Sequence, residues 1–123
     1  MDLILPVDSP MMAKGFTFGV ATASFQIEGG AEEDGKCPSI WDTFCETEGA
    51  IRDKSNGKVA CDHYHLWQQD IDLISSLNMD AYRFSISWPR IINNVKGTVN
   101  QAGLDFYRGI IDTLKEKGIK AYA

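Results

Sequence analysis

Two segments of this chain carry apolar residues at helical spacing, and each lies between segments whose apolar residues alternate with a period of two. The first helical segment follows Asp62 and lines up Tyr64, Trp67, Ile71, Ile74 and Leu77; the second follows Asn100 and lines up Leu104, Tyr107, Ile111 and Leu114. The strand-like segments are Phe16 to Ala23, Asp80 to Ser87 and a run that begins at Ile119. Strands joined through amphipathic helices run parallel with right-handed crossovers, so the spacing predicts an α/β fold. Asp62 and Asn100 are the expected N-caps, and Lys115, Lys117 and Gly118 mark the end of the second helix.

The second strand segment carries the most information. Tyr82, Phe84, Ile86 and Trp88 share one face, while Ala81, Arg83, Ser85 and Ser87 share the other. The bulky face is expected to meet the helices, which aims Arg83 at the opposite, inner side. Trp88-Pro89 is expected to close the strand, because proline cannot donate to a ladder and restricts the residue before it. A buried guanidinium there needs a carboxylate, or its desolvation goes uncompensated. Strands one to three supply none on that face.

Composition removes several alternatives. At 123 residues and 44% hydrophobic, the chain can bury one core, and a net charge of −5 without clustered Lys or Arg argues against a nucleic-acid partner. Residues 1–14 read as a peripheral N-terminal arm, with 15–123 as the folded unit. Asp2 and Asp8 stand where an export signal would be basic, and Leu3-Ile4-Leu5 is too short to span a membrane. Cys37, Cys45 and Cys61 are odd in number and lack CxxC spacing, which suits reduced thiols in a cytoplasm.

The long connection holds the candidate chemistry. Residues 29–60 read as a loop of roughly thirty residues, a length commonly reserved for function, with a helical turn expected at Ser39 to Cys45. At its entrance, Gln26 and Glu28 precede Gly29-Gly30. From spacing alone Gln26 reads more readily as a tie to its own loop backbone than as a ligand group. The acids Glu28, Glu32, Glu33 and Asp34 would repel phosphate from the glycine-rich stretch, and no Gly-Lys-Ser/Thr ending follows. His63 and His65 are two apart, whereas a helical zinc pair needs a spacing of four, so Cys61 to His65 reads as structural or capping. Trp41, Trp67 and Trp88 read as core residues before ligand-stacking platforms, with Trp41 the one whose exposure decides.

The residues Phe16 to Gly30 resemble the N-terminal signature of the family 1 glycoside hydrolases, the β-glucosidases and their relatives. The resemblance continues through Pro38-Ser39-Ile40-Trp41-Asp42-Thr43-Phe44, Val59 to His65, and Tyr82 to Ile91, in that order. Phe18 stands where many relatives have tryptophan and Gly30 where many have alanine. The resemblance implies a (β/α)8 TIM barrel, of which this chain would supply approximately the first three strands and two helices, since closure takes at least about 200 residues. It implies a retaining β-glycosidase acting on terminal non-reducing β-D-glucosyl residues, with no metal or organic cofactor.

The same resemblance assigns roles. It matches Gln26 to the glutamine that hydrogen-bonds sugar hydroxyls, and Arg83 to the arginine that contacts the nucleophile glutamate. It places both catalytic glutamates in Asn-Glu-Pro and Glu-Asn-Gly blocks beyond the point matching Ala123, so no residue here is expected to be catalytic and Glu28 is expected to anchor its loop. The expected partners are a β-glucoside and the complementary C-terminal polypeptide of the barrel. The competing expectations are a non-catalytic carbohydrate-binding segment and a purely structural one.

Overall fold

The computed structural model describes residues 5–93 and 95–123. Residues 1–4 of the expected arm lie outside that range; the rest of the arm contains a 3-10 helix, Pro10–Met12, with no buried residue. Three short parallel strands, β1 (Gly19–Ala21), β2 (Ala81–Arg83) and β3 (Lys120–Tyr122), form a sheet in the order β1-β2-β3. Gly19 pairs with Ala81 and Ala81 with Lys120, so the register runs unshifted across the sheet. Between them stand α1 (Ser24–Ile27), α2 (Ile40–Glu46), α3 (His63–Ser76), α4 (Trp88–Ile91) and α5 (Gln101–Glu116).

Both long helices cover the same face of the sheet. Ile71 of α3 and Phe106, Tyr107, Ile110 and Leu114 of α5 close over Tyr82, Phe84 and Ile119 in one buried cluster. A sheet wound in sequence order with its helices on one side is the geometry of a barrel wall, not of a doubly wound sheet. Gly19 fits this wall tightly, because a Cβ there would stand 2.7 Å from the Ala81 carbonyl oxygen.

The strands are shorter than their period-two patterns. After Phe84, whose N–H still donates to the Tyr122 carbonyl, the chain leaves the ladder, and Ile86 and Trp88 become exposed instead of continuing the Tyr82 and Phe84 face. Trp88-Pro89 does end the extended segment, and it also opens α4, whose first turn needs no N–H from proline. The buried stripe of α5 is turned from the expected one: Gly103, Phe106, Tyr107, Ile110 and Leu114 face the core, while Ile111 is 38% exposed. Gly103 causes the turn. Its missing side chain lets α5 press on α4, where a Cβ would fall 2.1 Å from the Arg90 carbonyl oxygen.

The caps also differ from expectation in detail. Asp62 and Asn100 occupy N-cap positions, but neither side chain bonds the helix N-terminus. The Asn100 amide instead donates to the carbonyls of Asp34 and Arg90, tying the long loop to α4. At the other ends, Gly118 at φ +72° bonds Lys115 while Ile119 bonds Leu114, a Schellman closure that Asn78 and Met79 repeat after α3. Helix α2 matches the expected turn at Ser39, with reciprocal bonds between Ser39 and Asp42. Burial raises the Asp42 carboxyl, but bonds from Lys36 and Ser39 outweigh it and hold the group below its ordinary value.

The two histidines diverge, as residues two apart on a helix must. His63 is buried, with Nδ1 2.6 Å from Asp70, while His65 lies exposed between Asp62 at 2.6 Å and Glu33 at 2.9 Å. His65 thus clamps the long loop to the start of α3.

Two outcomes follow from this packing. Leu114→Ala, at a site with no exposure, should cost about 2 to 5 kcal/mol, whereas Leu73→Ala, at 59% exposure, should stay within about 0.5 kcal/mol; paired urea titrations distinguish them. Hydrogen bonds to Asp62 and then Glu33 raise the His65 pKa above the usual 6.5. A raised folded-state pKa means that the clamp contributes fully below 6.5 and fades as pH rises through the higher folded value. His65→Gln should flatten the dependence of Tm on pH across that window, and an unchanged slope would remove the clamp from the account.

Candidate functional site

Gln26 sits on α1, a single helical turn, where the sequence suggested a loop. Four residues cannot hold a helix by their own hydrogen bonds, so α1 exists because both ends are tied down. At its start, the Ser24 N–H donates to Ser85 Oγ at 2.8 Å, just past β2. At its end, Glu28 is the C-cap, with its own N–H donating to the Ser24 carbonyl.

Glu28 is the buried centre of the second tie. Its Oε2 accepts from Arg90 Nε at 3.0 Å and its Oε1 accepts from the Tyr107 hydroxyl, while its backbone carbonyl accepts from the Tyr64 N–H. Arg90 is 1% exposed and also donates to the carbonyl oxygens of Gly29 and Gly30. Its guanidinium lies 4.1 Å from the centroid of the Tyr64 ring, a cation–π contact that replaces part of its lost hydration. The Tyr64 hydroxyl in turn donates to Asp34, and burial together with Asp34 pushes its pKa up to about 12. The Tyr107 phenol is raised further still, first by burial and then by the Glu28 charge. Both phenols therefore remain hydrogen-bond donors across the neutral range.

The loop backbone needs its glycines here. Gly29 has φ +65°, and a Cβ on it would stand 2.1 Å from the Val59 carbonyl oxygen. Gly30, at φ +51°, has the Tyr64 ring against it, 2.8 Å from where a Cβ would stand.

Gln26 itself is exposed, and among the described residues its side chain makes no hydrogen bond. It borders a cleft of about 380 Å³ with Phe25, Trp41, Cys45, Ile51 and Asn56. Phe25, Trp41 and Phe44 form an aromatic row beside it, with ring centroids 6.0 and 5.8 Å apart. Trp41 is 52% exposed and Trp88 62%, so neither is a core residue; Trp67 packs against the core.

Arg83 occupies the sheet face opposite Tyr82, as its strand position requires. It is exposed, not buried, and forms no ion pair among the described residues. Three strands enclose no interior, which leaves that face open. Arg83 is the last residue of β2 and Gln26 lies beyond the C-terminal end of the adjacent parallel strand β1, the end where barrel enzymes build their sites. The sequence pattern marks Tyr107 only as part of the apolar stripe of α5 and gives Arg90 no role of its own. The one available signal was a charge inside the apolar run Trp88-Pro89-Arg90-Ile91-Ile92.

Comparison with known proteins places this geometry. The family model described as "Glycosyl hydrolase family 1" matches residues 9–123. β-Glucosidase A of Thermotoga maritima is 57% identical over 109 residues, covering 89% of this chain and 24% of the relative. The β-glucosidase of Agrobacterium sp. is 55% identical over 108 residues, with 88% and 24% covered. The structure of the Thermotoga maritima β-glucosidase with deoxynojirimycin superposes at a TM-score of 0.85 with 57% identity, covering 89% of this chain and 25% of that one. That of the Agrobacterium tumefaciens virulence factor SghA superposes at 0.84 with 56% identity, covering 87% and 24%. The chain spans about a quarter of the length of these relatives. With a parallel wall, one-sided helices and a family match over nearly its whole length, the chain belongs to glycosyl hydrolase family 1.

Proposed function

We propose that this chain forms the first three strands and the first two crossover helices of a retaining β-glucosidase barrel, and that it works together with the remainder of that barrel. The match of residues 9–123 to the family, with relatives that are β-glucosidases, carries this reading. Two features of the fold support it. The outer edges of β1 and β3 have no strand partner among the described residues, and Trp41, Phe44 and Tyr122 are exposed. A barrel closes such edges and covers such surfaces.

In this reading, Gln26 binds hydroxyls of the terminal glucosyl unit, because an amide donates and accepts at once, as vicinal hydroxyls require. Arg83 keeps the nucleophile carboxylate ionised and aimed. Both catalytic carboxyl groups come from the remainder, set about 5 to 5.5 Å apart: one attacks the anomeric carbon, and the other serves as acid and then as base. Glu28 is not one of them, since its carboxylate is committed to Arg90 and Tyr107. No cofactor takes part. No helix among the described residues is long and apolar enough to cross a membrane. We assign the protein to the cytoplasm, with Cys37, Cys45 and Cys61 free.

The test joins residues 9–123 to the remainder of Thermotoga maritima β-glucosidase A. The chimera should hydrolyse an aryl β-glucoside, and residues 1–123 alone should not. Saturable turnover by the purified chain would overturn the assignment of the catalytic groups, and an inactive, folded chimera would overturn the reading as a whole.

Within the chimera the two site residues should separate. Gln26→Ala should cost about 1 to 3 kcal/mol in kcat/KM, because it removes bonds that strengthen as the sugar ring flattens. Arg83→Met should move the acidic limb of the pH profile upward, since without the cation the nucleophile is harder to ionise and activity is lost first on the acidic side. An unmoved acidic limb with unchanged kcat would return Arg83 to a structural role.

A further inference from the structure

We infer that Glu28 and Tyr107, with Arg90, are positioning residues for Gln26: they fix the end of the single-turn helix that carries it, and so set where its amide stands. This rests on the reading of Gln26 as the group that binds sugar.

The mechanical argument starts from what does not hold Gln26. Its side chain is exposed and unbonded among the described residues, so only its backbone defines its place. That backbone is one turn of helix, too short to persist unaided. Its beginning is fixed by one neutral bond, Ser24 N–H to Ser85 Oγ. Its end is fixed by a buried carboxylate that takes bonds from a buried guanidinium and a buried phenol, with Arg90 also gripping the next two carbonyls. Charge-assisted bonds are the stronger of these ties.

The chain of contacts is also rigid. Tyr107 packs in the core with Phe106 and Phe84, and its hydroxyl accepts from the Ser87 N–H while donating to Glu28. Arg90 leans on the Tyr64 ring, and α5 presses its Gly103 onto the Arg90 backbone. Glu28 is therefore held from α4 and α5, elements whose places are set by the core. A displaced α1 would carry Gln26 away from a glycosyl hydroxyl, and a shift of about 1 Å in a positioned group can cost about 100-fold in rate.

The experiment is a double-mutant cycle in the active chimera. Tyr107→Phe removes one tie to Glu28 and leaves the Arg90 charge paired, so the barrel keeps its fold; matched Tm values verify this. Glu28→Gln is the second probe, and it removes the charge. Each should lower kcat/KM severalfold, up to the loss that Gln26→Ala itself causes, when Gln26 is present, and less than about twofold in the Gln26→Ala background, because a group that acts through Gln26 has nothing left to position. Equal losses in both backgrounds would overturn the inference and make the network a general support of the fold. A Gln26→Ala variant with unchanged kcat/KM would instead overturn the role of Gln26 and the inference with it, while an active chimera would leave the β-glucosidase reading standing.

Discussion

The buried pair of Arg90 and Glu28 is the constraint on which the site end of this structure depends. Removing a guanidinium from water costs several kcal/mol, and that cost is offset only where a carboxylate and further acceptors surround the cation. Arg90 finds Glu28, the carbonyls of Gly29 and Gly30, and the face of Tyr64. The arrangement therefore dictates the path of the loop. Gly29 and Gly30 must turn their carbonyls toward Arg90, which requires positive φ, and the space they leave is filled by Val59 and Tyr64. Tyr64 then reaches Asp34, and Asn100 reaches the Asp34 backbone. A long connection becomes ordered because it is wrapped around one charge.

Much of the fold was legible in the sequence because it rests on local periodicity. Helix α3 shows the expected face through Tyr64, Trp67, Ile71 and Ile74, and the Tyr82 and Phe84 side of β2 meets the helices as its alternation implied. Periodicity failed where tertiary packing chose among neighbouring faces. On α5 the contact of Gly103 with Arg90 turned the buried stripe onto Phe106 and Ile110, and past Phe84 the alternation continued in sequence after the ladder had ended. The apolar residues of α5 allow both stripes, since Phe106, Tyr107, Ile110 and Leu114 also stand at helical spacing, and where the ladder ends depends on hydrogen-bond partners that a hydrophobic pattern does not record.

The site was legible only in part. A glutamine and a glutamate ahead of two glycines could be singled out, but the side-chain partners of Glu28 and the Arg90 donor to the two glycine carbonyls are 60 or more residues away and share no spacing rule with them. Within this chain the requirement that a buried arginine find a carboxylate is met at Arg90, which pairs with Glu28, while Arg83 is exposed. Arg83 and Arg90 stand seven residues apart and have opposite fates. Arg83 projects from a strand onto the open face of the sheet, whereas Arg90 follows the turn at Pro89 and is carried beneath the loop. Strand alternation can assign a side to a residue, but which side is covered depends on the elements that pack there.

This division has a consequence for how binding and chemistry are separated in the chain. Glu28, Arg90 and Tyr107 are spent on one another inside the fold, which removes three reactive side chains from solvent and leaves them unable to meet a substrate. Gln26 and Arg83, in contrast, are exposed, Gln26 on the single turn beyond β1 and Arg83 on the sheet face opposite Tyr82. The polar residues thus sort by what satisfies them. Those whose partners lie within this segment build its scaffold, and those without such partners face solvent, as the roles proposed for Gln26 toward a sugar and Arg83 toward a nucleophile require. An exposed amide is a useful ligand only if it does not have to search for its place, and rotamer freedom alone makes each mobile side chain costly to order. On the role proposed for Gln26, anchoring α1 from the core completes the backbone part of that ordering before a sugar arrives, so the binding free energy of its hydroxyls would not be drawn down to fold the helix that receives them.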